Sequence, residues 1–370
     1  MDCKRKILFV ATFPPPIHGS AIMSQYIKNS KLINRSFECD YINLSTSRRM
    51  DEIGKRNLIK LFRFLGAFCN LFLKLILHRY SICYLAITCH GLGFLKDAPF
   101  VLLCKLFRRR VVIHQHNKGM ANDVNKSIYR WLLPLVYRNT SVVLLSWYLY
   151  DDISSVVKKE QVYICPNGIP ETINNRVNIQ KDNEIPHILF LSNLLLEKGV
   201  LVLLDALKLL KDRGYSFVCD FVGSETKDLN SETFEQEVEK RGLDTFVIYN
   251  GCKYGSDKSA FFEQADVFVF PTFYHNECFP LVLLEAMEYG IPCISTIEGG
   301  IRDIIDDKVT GYVIPCKDFV ALERAIEKLI LDPGLRKEMG AKGRNKFEKE
   351  FSLKIFEKNM CEIFDKCLQM

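Results

Sequence analysis

Two runs of short apolar segments alternating with helix-length segments, separated by one polar break, constrain this 370-residue chain more than any other feature. In the first run the apolar segments fall at 6–11, 39–44, 82–87, 111–114, 142–145 and 162–165, with helix-length segments at 20–28, 58–77, 98–107 and 126–137 between them. Most of the apolar segments are continuous runs without polar alternation. Strands of that kind are covered on both faces, which predicts a parallel sheet with helices on each side. Pro166-Asn167-Gly168 and the apolar-poor residues 171–186 interrupt the pattern. The rhythm then restarts, with strands at 187–191, 217–222, 245–249, 267–271, 292–295 and 311–315 and helices at 200–213, 233–241, 258–264, 281–289 and 319–331. Residues from about 335 to 369 read as two more helices.

The expected fold class is therefore α/β, with two tandem Rossmann-like doubly wound domains over 1–166 and 167–345. Residues 346–370 are expected to form a C-terminal helix that packs back on the first domain. The length supports two domains, since it exceeds what one core usually holds. In such sheets ligands bind outside the carboxyl ends of the strands.

Charge is divided unevenly. Residues 1–180 hold 26 Lys and Arg against 11 Asp and Glu, a net of +15, and the remainder holds 24 against 33, a net of −9. A basic half points to an anionic partner: nucleic acid, an anionic membrane surface or a phosphorylated substrate. A solvated basic surface is the alternative reading. No nucleic-acid recognition motif is present, so nucleic acid is not expected as a partner. Basic and apolar residues interleave at 55–64 and again at 105–110. Segment 58–77 is long and apolar, but Lys60, Arg63 and Lys74 interrupt it, so a buried or interfacial helix is expected and not a membrane span. The fourteen cysteines contain no C-x-x-C and many sit in apolar runs. Reduced thiols and a cytoplasmic location follow as expectations, with peripheral attachment to the inner face of the membrane as an extension of them. The N-terminal residues read as a first strand and not as a signal peptide.

A dinucleotide oxidoreductase would place G-x-G-x-x-G after a first strand. Here the first strand runs into Phe13-Pro14-Pro15-Pro16-Ile17-His18-Gly19-Ser20, and the second half opens with Leu191-Ser192-Asn193-Leu194-Leu195-Leu196-Glu197-Lys198-Gly199. Neither is that fingerprint. The informative stretch is Glu277-Cys278-Phe279-Pro280-Leu281-Val282-Leu283-Leu284-Glu285-Ala286-Met287. Proline at 280 suits the first position of a helix. It has no N–H, so Leu281 and Val282 would supply the first-turn donors of an anion site suited to a diphosphate. Glu285, about a turn and a half on, reaches toward a ribose diol, and Glu277, just before the helix, toward the sugar beyond the phosphates. The plainer readings are a helix N-terminal carboxylate for Glu277 and a buried, partnered helical acid for Glu285.

Two glutamates with seven residues between them, followed by Ala-Met, then Gly290-Ile291-Pro292 and Glu298-Gly299-Gly300, resemble the family-4 retaining glycosyltransferases. The resemblance extends to Pro166-Asn167-Gly168-Ile169 at the interdomain linker, Lys198-Gly199 at a phosphate-binding lysine, and Asp307-Lys308-Val309-Thr310-Gly311-Tyr312. It implies the GT-B fold, with the two domains facing across a cleft. It also implies hexose transfer from UDP- or GDP-hexose to a glycan or lipid-linked acceptor, in cell-surface polysaccharide synthesis, without a metal or other cofactor. Carried over residue by residue, it implies catalytic roles for His116, Glu277 and Lys198. Donor contacts would come from Gly19, Asn193, Lys198, Glu277, Phe279, Leu281, Val282 and Glu285, and acceptor contacts from His18, His114 and Asn117. The chain departs from the family's pattern at Asn193, where an arginine is usual, and at Cys278 and Pro280, where glycine is common.

Each of the N-terminal candidates has a plainer reading too. His18-Gly19 serves equally as a plain β-to-α turn. His114 and His116 also read as a polar strand end or, with no carboxylate nearby, as a poorly supported metal pair. No D-x-D occurs in the chain, so the usual metal–diphosphate clamp of the other large transferase fold is missing. Two rivals share the architecture: a nucleotide-sugar 2-epimerase and a catalytically silent binding protein.

Overall fold

The computed structural model describes residues 4–15, 18–45, 58–172 and 183–369. The chain divides into two compact units, one of Met1–Gly168 with Leu353–Met370 and the other Ile169–Ser352. Each is built on a six-stranded parallel sheet.

The strands of the first unit are β1 (Lys6–Ala11), β2 (Glu38–Asn43), β3 (Ile82–Ile87), β4 (Arg110–Gln115), β5 (Ser141–Leu144) and β6 (Val162–Ile164), in the order β2-β1-β3-β4-β5-β6. Those of the second are β7 (His187–Leu191), β8 (Val218–Val222), β9 (Val247–Tyr249), β10 (Val267–Phe270), β11 (Cys293–Thr296) and β12 (Gly311–Ile314), in the order β12-β11-β10-β7-β8-β9. Apolar continuity decides position in each sheet. β3 and β10 are interior strands with every residue buried, whereas β2 and β9, at edges, keep exposed residues. Both sheets reverse their winding once, between β1 and β3 and between β7 and β10, and loops that open a crevice gather at such switch points.

In the first core the rings of Phe9, Tyr84 and Phe364 meet with centroids 5.2–5.8 Å apart. Burying an aromatic ring of this size contributes about 2–3 kcal/mol. Phe364 belongs to the helix Leu353–Gln369, whose buried residues Phe356, Met360, Ile363, Phe364 and Cys367 follow helical spacing. That spacing explains why the last helix joins the first unit.

Several sequence expectations shift. The helix expected at 98–107 runs over Gly91–Leu106 with Pro99 inside it. Proline marks a preferred start but does not forbid an earlier one when the helix face is buried, as Phe94, Ala98, Val101 and Cys104 are. Pro280 is not the first helical residue. It stands one position earlier, extended at φ −69° and ψ 120°, and the helix is Leu281–Glu288. The helix Leu58–Leu77 is not a core helix, since only Leu71 and Leu75 are buried. Among the described residues no helix is long and apolar enough to cross a membrane, and the thirteen described cysteines are free thiols.

Candidate functional site

The second unit brings most of the predicted donor residues to its switch point. The loop after β7 carries Asn193 and Lys198, and the loop after β10 carries Glu277 and leads into Leu281–Glu288. Backbone contacts lock the two loops together. The Phe273 N–H donates to the Glu197 carbonyl at 2.8 Å. Gly199 takes φ +84°, and a Cβ there would stand 2.2 Å from the Pro271 carbonyl oxygen. Only glycine meets both demands. A second glycine works in the same way: a Cβ on Gly299, at φ +54°, would lie 2.3 Å from the Glu277 carbonyl oxygen, and the Gly300 N–H donates to the Cys278 carbonyl at 2.7 Å. The pair Gly299-Gly300 thus seats the segment that presents Glu277.

With its loops so held, Lys198 donates to Glu277 Oε2 at 2.6 Å, both side chains being largely buried. The ammonium also lies 4.6 Å from the Tyr274 ring centroid and 5.3 Å from that of Phe270, a placement that favours a cation. Glu285, four residues into the helix, receives both its bonds from Lys258 Nζ, at 2.7 and 2.6 Å. Burial raises the Glu285 pKa, and the Lys258 charge opposes that rise. His275 Nδ1 stands 3.7 Å from Glu197 Oε1 on the same loop pair.

The other donor candidates separate by burial. Asn193 is exposed. Phe279 is buried with its ring against Phe351, 5.7 Å between centroids, so its side chain is committed to packing. Leu281 and Val282 head a helix whose N-cap, Pro280, makes no side-chain capping bond. Their N–H groups lie in the first turn, which carries the positive end of the helix dipole. Gly19 is in the first unit, at the start of the helix Gly19–Asn29, with open space beside it.

The acceptor-side candidates gather in the first unit. His18 caps the helix Gly19–Asn29: its Nδ1 stands 3.0 Å from Ser20 Oγ and accepts from the Ala21 N–H at 3.4 Å. His114, on β4, and His116, just past its end, project to one side with ring centroids 4.1 Å apart. Tyr84 Oη lies 2.8 Å from His114 Nδ1. Nε2 of both His114 and His116 is buried without a hydrogen-bond partner. Burial depresses all three imidazoles: His18 below its ordinary value, His114 well below it, and His116 to about 4 with a further push from His18. The cluster is therefore neutral near pH 7 and suits hydroxyl groups better than phosphates. Asn117 is structural in part, its Oδ1 accepting the Cys89 N–H at 3.0 Å and tying the loop after β4 to that after β3.

Four features escaped the sequence reading: Lys258, Tyr274, His275 and a cavity of about 650 Å³ in the first unit lined by Pro15, Asn43, Ser45, Arg63 and Asn70 among others. Lys258 lies in an expected helix with no motif around it, and only packing reveals its partner. Among the described residues no group of three or more His, Cys, Asp or Glu is placed to hold a metal ion.

Residues 171–346 match the family described as glycosyl transferases group 1. The capsular polysaccharide biosynthesis glycosyltransferase CapM of Staphylococcus aureus is 29% identical over 216 residues, covering 58% of this chain and 54% of that protein. The chain spans about half the length of several curated relatives it matches. A glycosyltransferase from Rickettsia africae superposes with a TM-score of 0.76 at 16% identity, covering 99% of both chains. Anabaena HepE, solved in complex with UDP, superposes with a TM-score of 0.74 at 16% identity, covering 98% of this chain and 100% of that one. Likeness at this level establishes the shared fold, the two-unit α/β fold called GT-B.

Proposed function

We propose, for a chain that carries a glycosyl transferases group 1 domain over residues 171–346, that it transfers a hexose from a UDP- or GDP-activated donor to a glycan or lipid-linked acceptor, with retention and without a metal. The observation that carries this reading is the Lys198–Glu277 pair at the switch point of the second sheet, beside the start of Leu281–Glu288. The biosynthetic roles in the names of CapM and of the colanic acid and amylovoran relatives support cell-surface polysaccharide synthesis as the setting.

Each residue has a role in that reading. Lys198 and Glu277 neutralise each other in their 2.6 Å pair. With donor bound, Lys198 turns to the diphosphate and Glu277 accepts from hydroxyl groups of the hexose. Glu285, paired with Lys258, takes the ribose diol. As the bond from the anomeric carbon to the diphosphate breaks, its electron pair stays on the leaving oxygen. Lys198 and the first-turn N–H groups of Leu281 and Val282 stabilise that growing charge, which is the term a metal would otherwise supply. The acceptor oxygen bonds the anomeric carbon on the face just vacated, and its proton passes to the departing diphosphate. Glu277 orients the sugar and forms no covalent intermediate. Asn193, where the resemblance leads one to expect arginine, leaves Lys198 as the main cation of this loop.

A panel of UDP- and GDP-hexoses, scored by the unfolding midpoint of the chain, tests the donor part. A cognate donor at a hundred times its Kd adds about 2.7 kcal/mol to stability. Stabilisation by one nucleotide series, lost in Glu285→Ala, is the expected outcome. A panel with no stabilising member would refute the donor assignment.

A further inference from the structure

The helix Leu58–Leu77 is apolar on its outer side. Nine of its Leu, Ile and Phe side chains are 44–73% exposed, among them Leu58, Leu61, Phe62, Leu65, Leu73 and Ile76. At 3.6 residues per turn these nine fall within an arc of about 160°. Leu71 and Leu75, the two buried residues, lie on the other side. Lys60 and Arg63 lie half-buried along one flank as a short basic strip, Lys74 on the same flank is paired with Asp40 at 3.4 Å, and the helix has no acidic residue. Phe107 meets Phe72 at 5.9 Å between ring centroids, and the neighbouring Leu106 and Arg108 are exposed. A soluble helix ordinarily turns its polar face to water, and this one does the reverse.

We propose that this face is a membrane-docking surface that lies in the headgroup region of an anionic bilayer, apolar arc in the acyl boundary and basic strip at the phosphates. Charge selects this occupant. Residues 53–96 contain seven Lys and Arg and no Asp or Glu. A second copy docked by a two-fold axis would place the same patch against itself, setting basic strip near basic strip. The preceding residues 46–57 hold two large apolar side chains, Met50 and Ile53, too few to cover nine. Three basic residues make the helix unsuited to span a bilayer but suited to lie in its surface, with the Lys and Arg stems alongside the apolar arc. The inference does not depend on the transferase reading, because it rests on exposure and charge alone.

Co-sedimentation with vesicles of phosphatidylcholine alone and of phosphatidylcholine with phosphatidylglycerol is the test. The chain sediments with the anionic vesicles, not the neutral ones, and high salt releases it. Each basic residue at an anionic surface is worth roughly fivefold in partitioning, so Lys60→Glu with Arg63→Glu lowers binding by about 25-fold or more. Phe62→Ser with Leu65→Ser and Leu73→Ser abolishes it, while the far-UV circular dichroism and melting profile stay those of the parent. Those three side chains are exposed and outside the core, so the variant keeps its fold. Failure to bind anionic vesicles overturns the proposal. So does wild-type binding by the triple serine variant. A parent that is dimeric in sedimentation velocity, becomes monomeric with the serine substitutions and ignores vesicles would assign the face to a second copy instead.

Discussion

Replacing His116 by glutamine removes a buried imidazole that is held neutral, and its effect on stability can be worked out. In the folded chain the His116 pKa is about 4, against an ordinary 6.5. Above pH 6.5 the ring is neutral folded or unfolded and costs nothing. As pH falls below 6.5 the unfolded chain takes up a proton that the folded chain refuses, so stability falls with pH, and the loss levels off once the folded ring also titrates near 4. Between pH 7 and pH 5 the linkage amounts to about 2 kcal/mol for this one group. His114 and His18 are depressed too and add losses of the same sign. Both tryptophans, Trp131 and Trp147, lie in the first unit, so urea unfolding followed by their fluorescence reports on the unit that holds the cluster. The parent is expected to lose about 2 kcal/mol more than His116→Gln over that pH interval. Equal pH dependence in the two proteins would refute the claim that His116 is buried neutral.

Gly199→Ala is expected to destabilise the second unit by about 3 kcal/mol, from left-handed strain and the clash with the Pro271 carbonyl, read in urea unfolding by circular dichroism. Glu285→Ala is expected to weaken nucleotide binding by about 30-fold, or about 2 kcal/mol, measured by calorimetric titration; unchanged affinity would remove it from the ribose site. Transfer is expected to continue in excess EDTA, and loss of activity restored by Mn²⁺ would show that a metal does the work assigned to Lys198.

The parallel sheets were legible because β1, β3, β7 and β10 are largely continuous apolar runs, and buried strands leave that mark on the sequence. The same holds for the pairing of His114 and His116 on one side, which follows from the two-residue period of a strand. Helix starts were less legible. Nothing near His90 announces Gly91 as a start, and the pattern placed the helix at 98–107. In the candidate site, Lys198, Glu277 and Glu285 were named from spacing, but their partnerships were not. Lys198 meeting Glu277 depends on two loops 79 residues apart being held by Gly199 against Pro271. Lys258 meeting Glu285 depends on a helix 27 residues upstream. Side-chain partners across such separations are set by packing, for which a single sequence carries no period. The outward apolar arc of Leu58–Leu77 was half legible: composition showed a helix too apolar for water and too basic to span, and only the structure showed which side faces out.

In the proposed reaction the second unit activates a nucleotide sugar through Lys198. The most direct test is turnover of UDP- and GDP-hexoses with glycan and lipid-linked acceptors, following released nucleoside diphosphate and the anomeric configuration of the product by NMR. The parent is expected to release diphosphate in step with a product of retained configuration. Lys198→Ala is expected to keep donor affinity within a few-fold and lose about a hundredfold or more in turnover, since the leaving-group charge it meets is largest in the transition state. Wild-type turnover in Lys198→Ala, or a product of inverted configuration, would contradict the account.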